Sequence, residues 1–192
     1  MNVSHDKNAA LGAALDLFWQ QGYASTSLKD LERATGMHPG SLYAAFGSKA
    51  KLYCLSLERY ATRLQTLRAE LLAKASSPLA GLATFITEAH PLSNAEAPLP
   101  VCYLVKATLE SSHGNQMIEE KIAELLTKND AVFEDIFQQA IDAGELPANT
   151  APHKRARQLS ADLAGLCFYA LRADDPAVIK EMVSDLAHRL HH

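Results

Sequence analysis

Between residues 118 and 143 apolar side chains recur on a helical period. Ile118, Ile122, Leu125, Val132 and Ile136 form one row, and Leu126, Phe133, Phe137 and Ile141 form a second beside it. Such spacings keep a row on one side of a helix with 3.6 residues per turn. Two adjacent rows make an apolar face wide enough for a helix at the centre of a bundle. The same period returns elsewhere, in Leu11, Leu15 and Phe18, in Cys54, Leu57, Ala61, Leu64 and Leu71, and in Ile179, Met182, Val183, Leu186 and Leu190. No β-alternating run of any length appears. The chain is therefore expected to be all-α.

Turn chemistry divides this pattern into about nine helices. Gly22 stops a helix over 8–21. Thr26 or Ser27 caps a second short helix that ends at Gly36. Pro39 opens a third, since its missing N–H costs nothing in a first turn. A fourth runs unbroken from Ser48 to about Lys74. Further helices are expected over 79–90, 102–111, 118–143, 153–171 and 177–190. The breaks fall at "ASSP", "HPLSNAEAPLP", "SSHGN", "AGELPANTAP" and "RADDP". The first three helices are too few to bury much alone. The expected division is residues 1–52 and residues 53–192.

With 48% hydrophobic and 21% charged residues, the chain can offset its ordering entropy by burial. No secretory leader and no run long enough to span a bilayer is visible. The three cysteines are far apart and odd in number, which fits a reducing cytoplasm. The net charge is −4, yet residues 1–53 carry five basic against four acidic side chains, and the rest carry 13 against 18. Acidic bulk thus discourages phosphate contact away from the N-terminal end. No phosphate loop, nucleophile elbow or zinc-protease motif is present, so no enzyme is expected and no cofactor or metal is implied.

The segment "GMHPGSLYAAFGSK", residues 36–49, joins two short helices by a tight turn. That is a helix-turn-helix pattern. Leu42 and Phe46, four apart, face inward. His38, Ser41, Tyr43 and the Ala44 methyl are left on the outer side, where they can enter a major groove. Gly40 lets the backbone come close to DNA. Free amides at the helix starts, with Thr26 and Lys49 beside them, suit phosphate oxygens.

Residues 15–53, "LDLFWQQGYASTSLKDLERATGMHPGSLYAAFGSKAKLY", resemble the DNA-binding domain of the TetR/AcrR family of bacterial transcriptional regulators. The resemblance implies a three-helix DNA-binding domain followed by a helical bundle that binds a small ligand and forms the dimer. By position, Thr26, Ser27 and Lys29 match backbone-contacting residues. His38, Pro39, Gly40, Ser41 and Tyr43 match the recognition segment, and Lys49 matches the phosphate-binding lysine. Ala45 stands where the family often has His or Tyr. A second segment, "VCYLVKATLESS" at 101–112, is similar to one seen in members with a ligand-binding C-terminal domain.

The resemblance implies a cytoplasmic homodimer, with a palindromic DNA operator and an unidentified small-molecule effector as partners. Phe85, Cys102, Tyr103, Lys106, Phe133 and Phe137 are the candidate effector pocket. Ala161, Ala164, Gly165, Phe168, Ile179, Met182, Val183 and Leu186 are the candidate dimer interface. Two other readings stand beside this one. A helical interaction protein would keep the N-terminal motif as packing, and Cys102 would serve as a redox sensor if its thiol pKa were lowered. His90, Cys102 and His113 match no metal-ligand spacing and are expected to be separate side chains.

Overall fold

The computed structural model describes residues 3–93, 97–110 and 114–191. His113 and part of the 111–115 break lie outside them, as does part of the 90–100 loop. Among the described residues the chain is helical, without a strand: α1 Val3–Gln21, α2 Leu28–Thr35, α3 Pro39–Phe46, α4 Lys49–Lys74, α5 Pro78–Thr84, α6 Tyr103–Glu110, α7 Gln116–Asp142, α8 Pro152–Ala170 and α9 Pro176–His188. A π-helical turn, Phe85–Ala89, continues α5, and a 3-10 turn, Arg189–His191, ends α9. Proline occupies the first turn of α3, α5, α8 and α9. There it pre-sets φ and removes an amide that would otherwise lack a partner. The helix predicted from Asn8 begins earlier, at Val3.

Contacts divide the chain into two units, Met1–Thr62 with Tyr103–Leu125, and Arg63–Cys102 with Leu126–His192. Residues 103–125 are thus grouped with the N-terminal helices, and α4 and α7 each contribute to both units. The core of the first unit is aromatic. Tyr53 stands edge-on to Phe18 at 5.0 Å, Trp19 edge-on to Tyr60 at 5.0 Å, and Tyr103 touches Tyr53, Tyr60 and Trp19 at 5.6 to 5.9 Å. Ser56 Oγ donates its single proton to the Tyr53 carbonyl at 2.7 Å, so it accepts from the Tyr103 hydroxyl at 2.9 Å. This cluster is what α1 and the start of α4 pack on.

The second unit is more aliphatic. Leu79, Leu82, Ile86, Phe133, Ile136, Leu159, Leu163, Val183 and Leu186 are all buried in its interior. Gly81 lets α5 lie close on α4, since a Cβ there would come within 2.9 Å of the Leu72 backbone. Glu145, in the turn after α7, accepts from the Ser77 hydroxyl at 2.6 Å and from the Leu79 amide at 3.3 Å. A carboxylate at a helix N-terminus satisfies open donors and complements the dipole.

Candidate nucleic-acid interface

The turn between α2 and α3 follows from local chemistry. Gly36 adopts φ +67° and donates its amide to the Glu32 carbonyl, ending α2 in a left-handed conformation that side chains with a Cβ resist. His38 is extended, and Pro39 then opens α3. On α3, Leu42 and Phe46 are buried while Gly40, Ser41 and Ala44 are exposed and Tyr43 is 45% exposed. The apolar side of α3 therefore holds the unit together and its other side faces outward. His38 is also exposed, and its Nδ1 lies 3.1 Å from a Glu32 carboxylate oxygen across the turn.

The cations nearby are arranged against the usual helix preference. Lys49 and Lys51 sit in the first turn of α4, which has no acidic residue. Cations there oppose the macrodipole, whose positive end favours anions. Lys49 Nζ lies 4.5 Å from the Tyr23 ring centroid, and burial lowers its pKa. Among the described residues it pairs with no carboxylate. Tyr43 and Lys49 line one small crevice with Leu28 and Leu52. Lys29 is exposed at the start of α2.

Two of the expected contact residues are already engaged. Thr26 is buried, and its hydroxyl donates to the Gly22 carbonyl at 2.7 Å. Its side chain latches the turn after α1 rather than facing outward. Ser27 caps α2 in a reciprocal box: its Oγ accepts from the Asp30 amide at 3.2 Å, and Asp30 accepts from the Ser27 amide at 2.9 Å. These bonds, led by the Ser27 hydroxyl, lower the Asp30 pKa. Part of the α2 N-terminus is thus closed by the chain's own carboxylate, whereas α3 has no side-chain cap. The Ser-x-x-Asp spacing was a readable signal for this box. Tyr23 as the holder of Lys49 was not.

The other candidate residues fall in different places. Tyr103 and Lys106 belong to the first unit, where Lys106 pairs with Glu110 at 2.5 Å. Phe85, Cys102, Phe133 and Phe137 belong to the second and are buried there. Phe137 lies on a cleft of about 330 Å³ with Arg155, Leu159, Leu186 and Leu190. The Cys102 amide donates to Cys167 Sγ at 3.4 Å, and burial pushes the Cys167 thiol up to about 12. No group of three or more His, Cys, Asp or Glu among the described residues is placed to hold a metal.

On α8 and α9, Ala161 and Gly165 are exposed, Phe168 is 52% exposed, and Ala164 and Met182 are half-buried. Ile179, Val183 and Leu186 instead point into the second unit's own core. The two sides of a helix hairpin are both apolar here, so periodicity alone does not separate the inward row from the outward one.

The N-terminal residues 10–53 match the family model described as bacterial regulatory proteins, tetR family. Residues 78–186, more than half the chain, match the tetracyclin repressor-like C-terminal domain. This chain belongs to the TetR family. It is a transcriptional regulator, and the family is one of regulators rather than enzymes. The chain is 32% identical over 152 residues to the HTH-type transcriptional repressor ComR of Escherichia coli, covering 77% of this chain and 69% of ComR. It is also similar to the TetR-family regulator CifR, solved as a cysteine mutant with 26-bp double-strand operator DNA, with 27% identity, 94% of each chain covered and TM-score 0.83. A TetR-family regulator from Agrobacterium tumefaciens shares the fold at TM-score 0.86 and 21% identity over 98% of each chain. As in this family, α2 and α3 form the helix-turn-helix. No helix among the described residues is long and apolar enough to cross a membrane.

Proposed function

We propose that this regulator is a homodimeric repressor that reads a palindromic operator with α3 and is released by a small-molecule effector held in its second unit. The outward side of α3 carries the proposal: Gly40, Ser41, Tyr43 and Ala44 are exposed while Leu42 and Phe46 anchor the helix from behind. Tyr43, Ser41 and His38 supply hydrogen-bonding groups for base edges, and the Ala44 methyl suits a thymine methyl. Lys49, Lys51 and Lys29, with the uncapped start of α3, supply the phosphate contacts that set register. Ser27 and Pro39 shape the two helix starts, and Thr26 holds the turn before them.

Several features of α8 and α9 support a dimer. Phe168, Tyr169, Leu171 and Val178 are large, apolar and exposed, which marks an interaction surface. Gly165 sits mid-helix, and a Cβ added to it would meet nothing within 4 Å, so packing inside the subunit gives no reason for a glycine. A glycine there costs about 1 kcal/mol of helix stability, which close approach of a second copy would offset. Ala161, Ala164, Phe168 and Met182 would share that contact, with Ile179, Val183 and Leu186 as its inner support. The effector reading rests on Phe85, Phe133, Phe137 and Cys102 in the second unit. α4 runs unbroken from Lys49 to Lys74, so effector binding has a covalent path to the DNA-binding helices. Effector and operator then oppose each other by one coupling energy, commonly about 1–3 kcal/mol.

The test is selection of bound duplexes from a random pool, followed by footprinting on the gene's own upstream region and sedimentation of the free protein. A two-fold symmetric site with half-sites about one helical turn apart, bound by a dimer, is expected. A monomer, or a protein that enriches no duplex at low salt, defeats the proposal.

A further inference from the structure

Arg68 breaks the pattern of its helix. It falls on the apolar stripe of α4, four residues after Leu64 and three before Leu71, and it is only 3% exposed. Its guanidinium lies between two rings of the second unit, with Cζ 4.8 Å from the Phe133 centroid and 5.3 Å from the Phe85 centroid. Nη1 donates to Asn129 Oδ1 at 2.9 Å. Nε is buried and donates to nothing. Among the described residues no carboxylate forms an ion pair with Arg68. Burial brings its pKa down to about 10, the mark of a charge taken out of water without a counter-charge.

A buried cation is ordinarily paired, because removing it from water costs several kcal/mol that only an anion at close range returns. Asn129 is neutral and occupies one nitrogen. The free Nε–H lies on the edge of the guanidinium that it shares with Nη2. That edge is the fork that takes both oxygens of a carboxylate. The surroundings also select the rest of a ligand. Phe85 and Phe133 offer ring faces, and His90, edge-on to Phe85 at 6.1 Å, is buried and neutral. Both rings are themselves buried, so a group paired with the fork sits among apolar neighbours, which suit an acid with an apolar body better than a strongly hydrated inorganic anion. Phe85 and His90 are brought here by the π-helical turn Phe85–Ala89, whose last bond runs from the His90 amide to the Phe85 carbonyl at 2.8 Å. Single π-turns inside helices are frequent at functional sites.

We infer that Arg68, flanked by Phe85 and Phe133 and steadied by Asn129, receives the carboxylate of a small organic acid with an apolar body, and that such an acid is the effector. The second clause rests on the effector reading given above. It names the chemistry of that ligand and the residue that recognises it.

The test measures binding of benzoate, phenylacetate and octanoate to the purified full chain by calorimetry, each beside its uncharged amide. At least one acid should bind saturably, and its amide about tenfold or more weaker, because the fork is then left unpaired. Arg68→Met should weaken that acid by about tenfold or more, and Arg68→Lys, which keeps the charge but not the fork, should fall between. Arg63→Met, at an exposed arginine of the same helix, should leave the affinity unchanged. Cooperative urea unfolding of each variant checks that it is folded. Acids and amides binding alike, no acid binding at all, or full affinity in a folded Arg68→Met variant would each overturn the site. Operator affinity measured with and without the acid separates the two claims. An acid that binds through Arg68 without loosening the operator leaves the site standing and removes its effector role. Release by a neutral compound that binds Arg68→Met as well as wild type keeps the effector reading and overturns the acid.

Discussion

Replacing His90 with Asn should remove most of the second unit's sensitivity to mild acid. His90 is 4% exposed, and its Nδ1 accepts the Leu92 amide at 3.3 Å. The ring is therefore neutral, with its proton on Nε2. Burial first, and then the positive charge of Arg68, bring its pKa down to about 4. In the unfolded chain the same ring titrates near 6.5. Between about pH 6.5 and pH 4 the unfolded state thus takes up a proton that the folded state refuses. The sign follows. The unfolded state binds more protons, so stability rises with pH across that window. It is fully present above about 6.5 and is lost as pH falls toward 4. A gap of about 2.5 pH units at about 1.4 kcal/mol each gives a loss of roughly 3–4 kcal/mol.

Asn is the informative replacement because its Oδ1 can accept the Leu92 amide while the side chain cannot titrate. Urea unfolding of wild type and His90→Asn at one protein concentration, from pH 7.5 down to 4.5, gives two curves. Their difference cancels the carboxylates that both chains share. It should be flat above pH 6.5 and then move in favour of His90→Asn by about 1.4 kcal/mol per pH unit. Parallel curves over the whole range would refute the reasoning, since they would mean the folded state protonates His90 freely.

Arg68→Met should change the unfolding free energy by no more than about 1 kcal/mol, measured in urea, because relief of the buried charge balances the lost Asn129 bond and ring contacts; a loss of about 3–5 kcal/mol would reveal a counter-charge. Gly40→Ala meets nothing within 4 Å and should raise the melting temperature slightly, by a gain of about 0.5–1 kcal/mol, while weakening operator binding in an anisotropy titration. Ser27→Ala breaks the box with Asp30 and should cost about 1 kcal/mol in the same melt. Lys49→Ala should weaken binding to operator and random duplex alike and reduce the salt slope of log K by about 1.

The helix boundaries were readable because the residues that set them act locally. Gly36 must take a positive φ, and Pro39, Pro78, Pro152 and Pro176 sit where a missing amide is harmless. The inward side of α3 was readable too, since Leu42 and Phe46 are the large apolar pair four apart. What was not readable depends on non-local partners. Tyr103 and Lys106 follow Cys102 closely in sequence, yet they join the first unit, where Ser56 and Tyr53 complete the surroundings of Tyr103. Thr26 is the local exception: it has the residue type of a phosphate contact, and its hydroxyl also donates to the Gly22 carbonyl four residues back. Ile179, Val183 and Leu186 could not be told from an outward row by spacing. Arg68 did leave a signal, a lone charge on the stripe of Leu64 and Leu71, and only the rings around it give that signal meaning.

Among the described residues, cations break local rules in two places on α4. Lys49 and Lys51 put cations at the positive end of a helix, and Arg68 puts one in an apolar interior. Sequences that fold well agree with themselves at every level, and departures collect where function demands them. A purely structural account of Arg68 would require its donors to be satisfied, since an unmet buried donor costs about 1–3 kcal/mol and a methionine would fill the volume without that cost. The orphaned Nε weighs against that account. The same logic applies at the other end of α4, where a phosphate would complement both the dipole and the two lysines. Each break is a positive charge lacking an anion among the described residues, and each would be resolved by an anion from outside the chain: a nucleic-acid backbone at one end of the helix and, on our proposal, an organic acid toward the other.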